Sequence, residues 1–374
     1  MGMGDAVEPV VIIGAGPAGL ACAWRLAQLG ISPLLLEKAA FPREKVCGDA
    51  LSGKVLALVR KLGGEAALRQ LFSHPEAQPA AVLALVDRRG RALRLEFPPQ
   101  QGYPQGLLLR RYAFDAWLAT QLPPTVRLRT GVAVKTLLRR GSVWQIELEG
   151  QPSIYAHFVV GAEGVASRVA RWVEAYHGMG RPPTFPAVRG YIKAHSPLEA
   201  LELYFVPPVL PGYFWAFPMG RWWNVGVGTS QQKARLPLRT LLRTRWPAVE
   251  GLAGHGIPVA LQKRPLTAPG CALIGDAAAL ADPFTGEGIG NALLSGIRLA
   301  EALAAFPPST WGTLDLATAY THRLYKELSA ELRMARWLYR LAAHAWAVEK
   351  LIGVARQHPG LVGWALHSYG VKKA

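Results

Sequence analysis

The sequence predicts an α/β protein in which a Rossmann-type nucleotide-binding domain carries an antiparallel-sheet domain and a helical C-terminus. Three observations predict this class: a glycine-rich turn between an apolar strand and a helix near the N-terminus, two later strand-turn-helix segments, and alternating strand patterns between them. The length of 374 residues suits two or three folding units.

The composition is basic, with 42 Lys and Arg against 25 Asp and Glu, for a net charge of +17. This excess favours an anionic partner: a nucleic acid, a phosphorylated substrate or an acidic membrane surface. No nucleic-acid-binding signature is visible, so we expect no nucleic acid partner. Three cysteines without a CxxC pair predict neither a disulfide framework nor a metal site, and they fit a cytoplasmic protein. No segment has the pattern of a signal peptide or the length of a membrane span.

The first pair of elements is "PVVIIGAGPAGLACAW", an apolar strand followed by a turn with the G-x-G-x-x-G spacing and a helix. Gly14 suits the tight turn, Gly16 lets a pyrophosphate approach the backbone, and Gly19 lets helix and strand pack closely. Glu37 ends the next buried strand, where a carboxylate accepts a hydrogen bond from a ribose hydroxyl. A carboxylate there disfavours a 2′-phosphate, so the pattern predicts FAD or NAD and not NADP at this site.

Two later segments decide between these dinucleotides. "CALIGDAAALADPFTGEGIGNALLSG" is a buried strand, a loop and a small-residue helix, and "FVVGAEGVASRVAR" is another strand-turn-helix. Together with the first turn they resemble the flavoprotein superfamily of para-hydroxybenzoate hydroxylase. The resemblance implies that Gly275 and Asp276 hold the ribityl chain of FAD and that the loop at Pro283 lies beside the flavin ring. The Gly161 turn also matches, although Glu163 stands where that superfamily usually has Asp.

The resemblance implies a non-covalent FAD site, since no covalent attachment motif is present. The residues expected to bind the cofactor are Gly14, Gly16, Pro17, Ala18, Gly19, Glu37, Lys38, Cys47, Gly48, Arg110, Val132, Gly275, Asp276, Pro283, Gly286, Gly288 and Ile289. There is no second dinucleotide fingerprint. We therefore expect an external reductant, either NADPH that binds transiently or a ferredoxin-like protein.

A closer resemblance is to the geranylgeranyl reductase family within that superfamily. "KVCGDALSGKVL" resembles its Lys-x-Cys-Gly segment, and its Y-x-W-x-F-P signature with a later G-x-G is matched by Tyr213, Trp215, Phe217 and Pro218 with Gly226 and Gly228. Alternate residues of a strand share a face, so Tyr213, Trp215 and Phe217 are expected to wall a pocket for an extended apolar substrate. The two glycines are expected to clear room for the ligand or the flavin. The alternative is an aromatic core between sheet and helix.

The candidate catalytic residues are Cys47, Tyr213 and Trp215. The resemblance places Cys47 on the substrate side of the flavin, and a basic neighbour such as Lys45 is expected to lower the pKa of its thiol. The alternative for Cys47 is a small buried hydrophobe, which we expect for Cys22 and Cys271 within their apolar runs.

The alternating patterns divide the chain into interleaved segments. A hairpin is predicted for 81–97 across an Arg-Arg-Gly turn, with further strands at 188–194, 201–206 and 213–229. The predicted FAD-binding domain is discontinuous and comprises residues 7–75, 105–180 and 264–305. The predicted antiparallel-sheet substrate domain, which caps the flavin, comprises 76–104 and 181–263, and the C-terminal helical region is 306–374.

The C-terminal helical region carries two stripes at helical spacing. The apolar stripe is Met334, Trp337, Leu338, Leu341, Ala345 and Val348, and the basic stripe is Arg333, Arg336, Arg340 and His344. One hypothesis is a helix packed on the body with a solvated basic face. The other is a peripheral contact with anionic lipid at the inner face of the membrane, which Trp346, Trp364, Lys372 and Lys373 favour.

The leading functional hypothesis, which rests on the resemblance, is an FAD-dependent oxidoreductase that reduces isolated C=C bonds of a prenyl (geranylgeranyl-type) or other polyene lipid. Its substrate would be an apolar small molecule, with or without a phosphate, bound by a monomer. The alternative is a flavin-dependent monooxygenase or halogenase acting on an aromatic or polyketide-like substrate, because the fold is shared and the halogenase W-x-W-x-I-P motif is similar to 213–218. A non-catalytic flavin or lipid carrier is the third class.

Overall fold

A computed structural model describes the protein over residues 7–194, 198–230, 237–311 and 313–357. Within these ranges the chain forms eighteen β-strands, in three sheets, and nine α-helices. None of the described helices combines the length and the hydropathy that crossing a bilayer requires.

The strands are β1 (Val7–Ile13), β2 (Leu34–Leu36), β3 (Ala50–Ser52), β4 (Gln78–Pro79), β5 (Val82–Asp87), β6 (Ala92–Glu96), β7 (Gly106–Leu108), β8 (Arg127–Arg129), β9 (Val134–Arg140), β10 (Val143–Leu148), β11 (Gln151–Gly161), β12 (Thr184–Lys193), β13 (Leu201–Phe205), β14 (Gly212–Met219), β15 (Trp222–Thr229), β16 (Glu250–Pro258), β17 (Thr267–Ala268) and β18 (Cys271–Leu273). The helices are α1 (Pro17–Gln28), α2 (Gly53–Phe72), α3 (Arg111–Thr120), α4 (Arg168–Tyr176), α5 (Leu238–Arg245), α6 (Ile289–Ala304), α7 (Leu314–Ala317), α8 (Arg323–Leu341) and α9 (Ala345–Gln357).

The first sheet, called here the nucleotide sheet, has the order β17-β18-β11-β1-β2-β8 and is extended from β11 by β10 and β9. β1 pairs in parallel with β11 and β2, and β18 and β8 continue the parallel pairing outward. The central strands are short apolar runs that are buried, as parallel strands are. The predicted Rossmann-type α/β fold is therefore confirmed. A separate small sheet has the order β3-β7-β4.

Close backbone approach joins β1, α1 and α6. Gly14 has a φ of +102°, and a Cβ there would lie 2.4 Å from the Ala162 carbonyl oxygen. A Cβ at Gly19 would lie 2.0 Å from the Gly14 carbonyl oxygen. One at Gly296 would lie 2.3 Å from the Ala18 carbonyl oxygen. These separations are far too short for a side chain, so the strand and the two helices meet only because the three positions are glycine.

The second sheet, called here the cap sheet, has seven strands in the order β16-β12-β15-β14-β13-β5-β6. Its pairs are antiparallel as expected, except that β13 runs parallel to β5 where the two chain segments of the sheet meet. The hairpin predicted at 81–97 is β5–β6. The run expected at 213–229 is also a hairpin, β14–β15, because the chain reverses at Gly220, which has a φ of +64°.

The β14–β15 hairpin is built around the ring of Trp215. Trp215 pairs across the strands with Gly226, and a Cβ on Gly226 would lie 2.0 Å from Trp215 Cζ2. The indole occupies this position, so the expectation that Gly226 clears room for a ligand or the flavin is wrong. At Gly228 the nearest atom to a Cβ would be 3.6 Å away, in Ala187, which is an ordinary contact distance.

The C-terminal helix α8 is attached to the rest of the chain by a buried face that includes Leu328, Leu332 and Ala335. A polar contact supports this face, because Lys54 on α2 donates to Glu331 at 2.7 Å. Lys54 therefore connects α2 to α8.

The apolar stripe expected on this helix is only partly buried. The helix packs on the body and Arg333, Arg340 and His344 are exposed, as the first hypothesis expected. The helix ends at Leu341, and Trp337 is 51% exposed, so the apolar stripe is not buried along its whole length. Val348, on α9, is buried, whereas Trp346 is 65% exposed. The expected contributions of Trp364, Lys372 and Lys373 lie outside the described residues.

Gly226→Ala should lower the free energy of unfolding by about 1–3 kcal/mol, because the new methyl group overlaps the Trp215 ring. Gly228→Ala is the matched control and should change it by about 0.5 kcal/mol or less, since its methyl group meets ordinary contacts. In a Trp215→Ala background the loss caused by Gly226→Ala should disappear. Denaturant unfolding measures this double-mutant cycle, and additive losses would contradict the packing.

Candidate functional site

One end of the candidate site lies at the carboxyl end of β2, around the buried carboxylate of Glu37. Its oxygens accept hydrogen bonds from the backbone N–H groups of Ala15 (2.9 Å) and Ala39 (3.1 Å). Arg43 donates to the same carboxylate at 3.3 Å and to Asp115 at 3.0 Å. A carboxylate offers about four acceptor positions, so Glu37 is fixed beside the glycine-rich turn with capacity for a further donor, such as a ribose hydroxyl.

The N-termini of α1 and α6 flank the turn at Gly275. α1 begins at Pro17, and a Cβ on the preceding Gly16 would meet no atom within 4 Å. Gly275 lies between the helices, because a Cβ on it would be 2.8 Å from Ala18 Cβ and 3.5 Å from Ala292 Cβ. Among the described residues, no side chain caps either α1 or α6. Uncapped helix starts present N–H groups and positive partial charge, which suit a pyrophosphate.

Asp276 follows this turn and is half-buried. Its carboxylate makes no hydrogen bond to any described residue, and it faces the start of α6, since a Cβ on Gly288 would lie 3.4 Å from Asp276 Oδ1. A carboxylate with free acceptor positions fits the hydroxyl groups of a ribityl chain. Together with the open position at Gly16, this means that the residues present fit FAD.

The other predicted cofactor residues of this end are distributed around these groups. The Val132 N–H donates to the Glu37 carbonyl oxygen at 2.9 Å, and the side chain of Lys38 is exposed. Ile289 is buried at the start of α6. The guanidinium of Arg110 lies 4.7 Å from the ring centre of Tyr191, so it contacts the cap sheet.

The other end of the site is held together by the side chain of Asn224, on β15. Its Oδ1 accepts a hydrogen bond from Trp215 Nε1 at 2.9 Å, and its Nδ2 donates to the Cys47 carbonyl oxygen at 3.0 Å and to Asp49 Oδ2 at 2.8 Å. Asp49 is buried with a φ of +64° and also accepts from the Tyr191 hydroxyl at 2.7 Å. These bonds fix the loop at Cys47, called here the Cys47 loop, against β14, called here the aromatic strand because it carries Tyr213, Trp215 and Phe217.

The thiol of Cys47 is not activated as a thiolate. Burial raises its pKa, and the positive charge of Arg111 opposes this effect without overcoming it. The expectation that a basic neighbour lowers the pKa of Cys47 is therefore wrong. Arg111 is itself engaged, because it donates to both carboxylate oxygens of Asp115 at 2.7 and 2.8 Å. A protonated thiol suits a proton donor better than a nucleophile.

A cleft lies between the cap sheet, α8 and the loop before α6, called here the α6 loop (residues 279–288). Tyr213 and Trp215 line it from β14, Pro283 and Gly286 from the α6 loop, and Tyr339 from α8. No described residue of the lining is charged. The cleft therefore presents apolar and aromatic surface to a ligand.

Phe217 lies beside the cleft and not in its lining. A Cβ on Gly48 would be 3.1 Å from Phe217 Cε2, so this ring packs on the Cys47 loop. The ring centres of Tyr213 and Trp215 are 6.2 Å apart, and those of Trp215 and Phe217 are 6.4 Å apart. Trp215 is 8% exposed and belongs to an apolar cluster of the cap sheet. Trp215 therefore both lines the cleft and packs in the apolar core of the cap sheet, so the two alternatives raised by the sequence hold together for this residue.

Asp282 organises the α6 loop. Its Oδ1 accepts from the backbone N–H groups of Phe284 and Thr285 at 2.8 Å each, and its buried Oδ2 has no partner among the described residues. Burial raises the pKa of Asp282 to about 7. The Tyr213 hydroxyl donates to the Thr285 carbonyl oxygen, so the α6 loop is bound directly to the aromatic strand.

Glu163, the residue that departs from the superfamily pattern, stabilises the start of α4. Its carboxylate accepts from the Arg168 N–H at 2.9 Å and from the Ser167 hydroxyl. Ser167 Oγ in turn accepts from the Ala170 N–H at 3.0 Å. The longer acid thus belongs to a helix cap.

A lysine–histidine pair lies on the cleft side of the cap sheet. Lys45 Nζ is 2.8 Å from Nε2 of His255, on β16. Ala187 is opposite His255 on β12, and Ile257 follows two residues later on β16; both line the cleft. Opposite and alternate strand positions share a face, so His255 points to the same side of the sheet.

Sequence reasoning missed the polar residues that hold the site together, which are Asp49, Arg111, Asn224 and His255. Asn224 left a signal, because an amide inside the apolar run of β15 requires a buried partner. His255 left none, since its partner is 210 positions away in the sequence.

Sequence comparison places the chain among flavoproteins. Residues 8–188 match the model of an FAD binding domain. The chain is 31% identical over 317 residues to digeranylgeranylglycerophospholipid reductase 1 of Methanopyrus kandleri, covering 79% of this chain and 80% of that protein. It is 28% identical over 360 residues to the menaquinone reductase of Mycolicibacterium smegmatis, covering 88% of this chain and 83% of that protein.

Solved structures share the fold. A geranylgeranyl bacteriochlorophyll reductase-like protein from Thermoplasma acidophilum matches with a TM-score of 0.81 and 22% identity, over 94% of this chain and 91% of that one. A flavin-dependent brominase matches with a TM-score of 0.76 and 18% identity, over 98% and 94%. Reductases and halogenases share this architecture, so the sequence relatives decide the assignment. The chain belongs to the geranylgeranyl reductase family of FAD-dependent oxidoreductases.

Proposed function

We propose that this protein reduces isolated C=C bonds in a prenyl lipid or another polyene lipid, with FAD as its cofactor. The observation that carries the proposal is the cleft, which lies between the α6 loop and the aromatic strand and has no charged residue in its described lining. Such a cleft binds an extended apolar chain by burying its surface. It offers no cation to a phosphate, so the head group of a phosphorylated substrate would stay outside it.

The residues of the chain would bind FAD and the lipid, orient the alkene and donate a proton to it. FAD, when bound, would supply the two-electron chemistry, with NADPH or a ferredoxin-like protein as the external donor. The helix starts at Gly16 and Gly288 would hold its polar groups, together with Glu37 and Asp276. The aromatic wall would align an unactivated alkene, for which orientation supplies much of the rate.

Cys47 is the favoured donor of the proton that the second alkene carbon requires. Burial raises the pKa of Cys47, so its Sγ keeps a proton near neutral pH. Tyr213 is also protonated, because burial raises its pKa, but its hydroxyl already donates to Thr285. The thiol is therefore the donor with fewer competing acceptors.

Anaerobic turnover tests the function. FAD-loaded protein with dithionite should convert a geranylgeranylated glycerophospholipid, geranylgeranyl diphosphate or menaquinone to products heavier by two hydrogens for each reduced bond, as measured by mass spectrometry. A monooxygenase or halogenase would need oxygen, and a carrier would bind flavin and lipid without turnover. Product that forms only with oxygen, or no product with any of the three lipids, overturns the proposal.

Trp215→Ala should lower kcat/KM, counted per bound flavin, by about 2–4 kcal/mol of transition-state free energy, through lost apolar contact and misalignment. It should also lower the free energy of unfolding by about 3–5 kcal/mol, because the ring packs in the cap sheet. Trp311→Ala is the matched control: Trp311 is 4% exposed and contacts Phe158, away from the cleft. It should lose similar stability and keep its kcat/KM. An equal loss of kcat/KM in both variants would rule out a pocket role for Trp215.

We also propose a peripheral contact between the C-terminal helices and anionic lipid. Trp337 and Trp346 are exposed, and Arg333 and Arg340 are exposed on the same helix, α8, as Trp337. Tyr339 of α8 lines the cleft, so this surface adjoins the site. Aromatic rings and basic side chains together favour the interface of an anionic membrane.

Arg333→Glu with Arg340→Glu should weaken co-sedimentation with vesicles of phosphatidylglycerol and phosphatidylcholine by more than tenfold, because each basic residue near the surface contributes about 1 kcal/mol. Arg239→Glu with Arg243→Glu is the matched control and should have a smaller effect; both residues lie on α5, which packs on the cap sheet. Binding of the natural sequence should fall with salt. Equal binding to vesicles of phosphatidylcholine alone would show that charge is not responsible.

A further inference from the structure

The pair formed by Lys45 and His255 has no part in the reaction as described so far. Lys45 lies two residues before Cys47, and His255 lies on the cleft side of β16, so the contact joins the Cys47 loop to the cap sheet. Both side chains are half-buried. Their 2.8 Å separation is that of a hydrogen bond between nitrogens.

The geometry limits the pair to one positive charge. When Lys45 is an ammonium it only donates, so Nε2 of His255 presents its lone pair to it and the imidazole is neutral. A second proton on Nε2 would break the bond and set two cations against each other. Burial lowers the pKa of both groups, and the Lys45 charge lowers that of His255 further.

The other charges that act on the pair are few. Asp276 favours the charged form of both groups, and Arg111 disfavours it. Arg43 also disfavours the charged form of Lys45, whereas Cys47 would favour it only as a thiolate. Asp276, at the turn between α1 and α6, is the carboxylate that makes no hydrogen bond to a described residue, so the pair lies within electrostatic reach of the flavin site.

We propose that Lys45 and His255 form a proton-uptake site for the bound flavin, with one positive charge on the pair when the flavin is oxidised and two when it is reduced. Two electrons from the external donor, accompanied by one proton, would add one negative charge at the flavin site. A second proton, from solvent, goes to Nε2 of His255 as Lys45 Nζ leaves it. No group of the pair is oxidised or reduced.

The inference rests on the FAD chemistry of the proposed function and not on its lipid substrate. It predicts that reduction is linked to a proton at His255. This linkage operates above the lowered pKa that His255 has beside oxidised flavin, and it ends at the higher pKa that the added negative charge produces.

The test is the pH dependence of the two-electron midpoint potential of FAD-loaded protein, measured by spectroelectrochemistry without lipid. The natural sequence should take up one more proton per two electrons than His255→Gln within that pH range, which is a slope steeper by about 30 mV per pH unit. His157→Gln, at an exposed histidine of β11, is the matched control and should keep the full slope.

Lys45→Met provides a second variant if His255→Gln does not fold. Without the ammonium, the pKa of His255 beside oxidised flavin should rise, although burial still lowers it, so the steeper slope should begin at a higher pH than in the natural sequence. Ring-nitrogen NMR of the natural sequence in the two redox states gives a direct measure.

Equal slopes in the natural sequence and His255→Gln, or an imidazole that stays neutral in both states, overturn the inference. If the pair were merely structural, His255→Gln would change the FAD affinity and the melting temperature but leave the slope unchanged. Failure of lipid reduction leaves this measurement intact, so the two proposals are distinguishable.

Discussion

The side-chain amide of Asn224 is the contact on which the geometry of the site depends. One buried group binds the indole of Trp215, the backbone at Cys47 and the carboxylate of Asp49. A partner removed from such a group leaves a buried donor or acceptor unsatisfied, at about 1–3 kcal/mol. The indole of Trp215 and the backbone at Cys47 therefore keep their relative position.

The two ends of the site are stabilised by different physics. At the nucleotide end, backbone packs on backbone at Gly14, Gly19 and Gly296, and no described side chain caps the start of α1 or α6. At the cleft end, polar side chains join separate segments of the cap sheet and the loops. The C-terminal helix α8 serves both ends, because Glu331 pairs with Lys54 and Tyr339 lines the cleft.

The sequence was sufficient for features that depend on local chain geometry. The glycine spacing of the first turn, the hairpin at 81–97 and the shared face of Tyr213 and Trp215 all follow from residue type and period. Features that depend on distant partners could not be read in this way. The pKa of Cys47 rises through burial by other segments, and the space at Gly226 is filled by an indole eleven residues earlier in the chain.

The packing of α1 against α6 has a consequence for biosynthesis. Ile289, at the start of α6, follows Gln28, at the end of α1, by 261 residues. At about 5–20 residues per second, the ribosome takes roughly 13–52 s to synthesise that interval. Throughout it the face of α1 that packs on α6 lacks its final neighbour and stays exposed in the nascent chain. A fragment truncated before α6 would contain the whole fingerprint and still not form the nucleotide site.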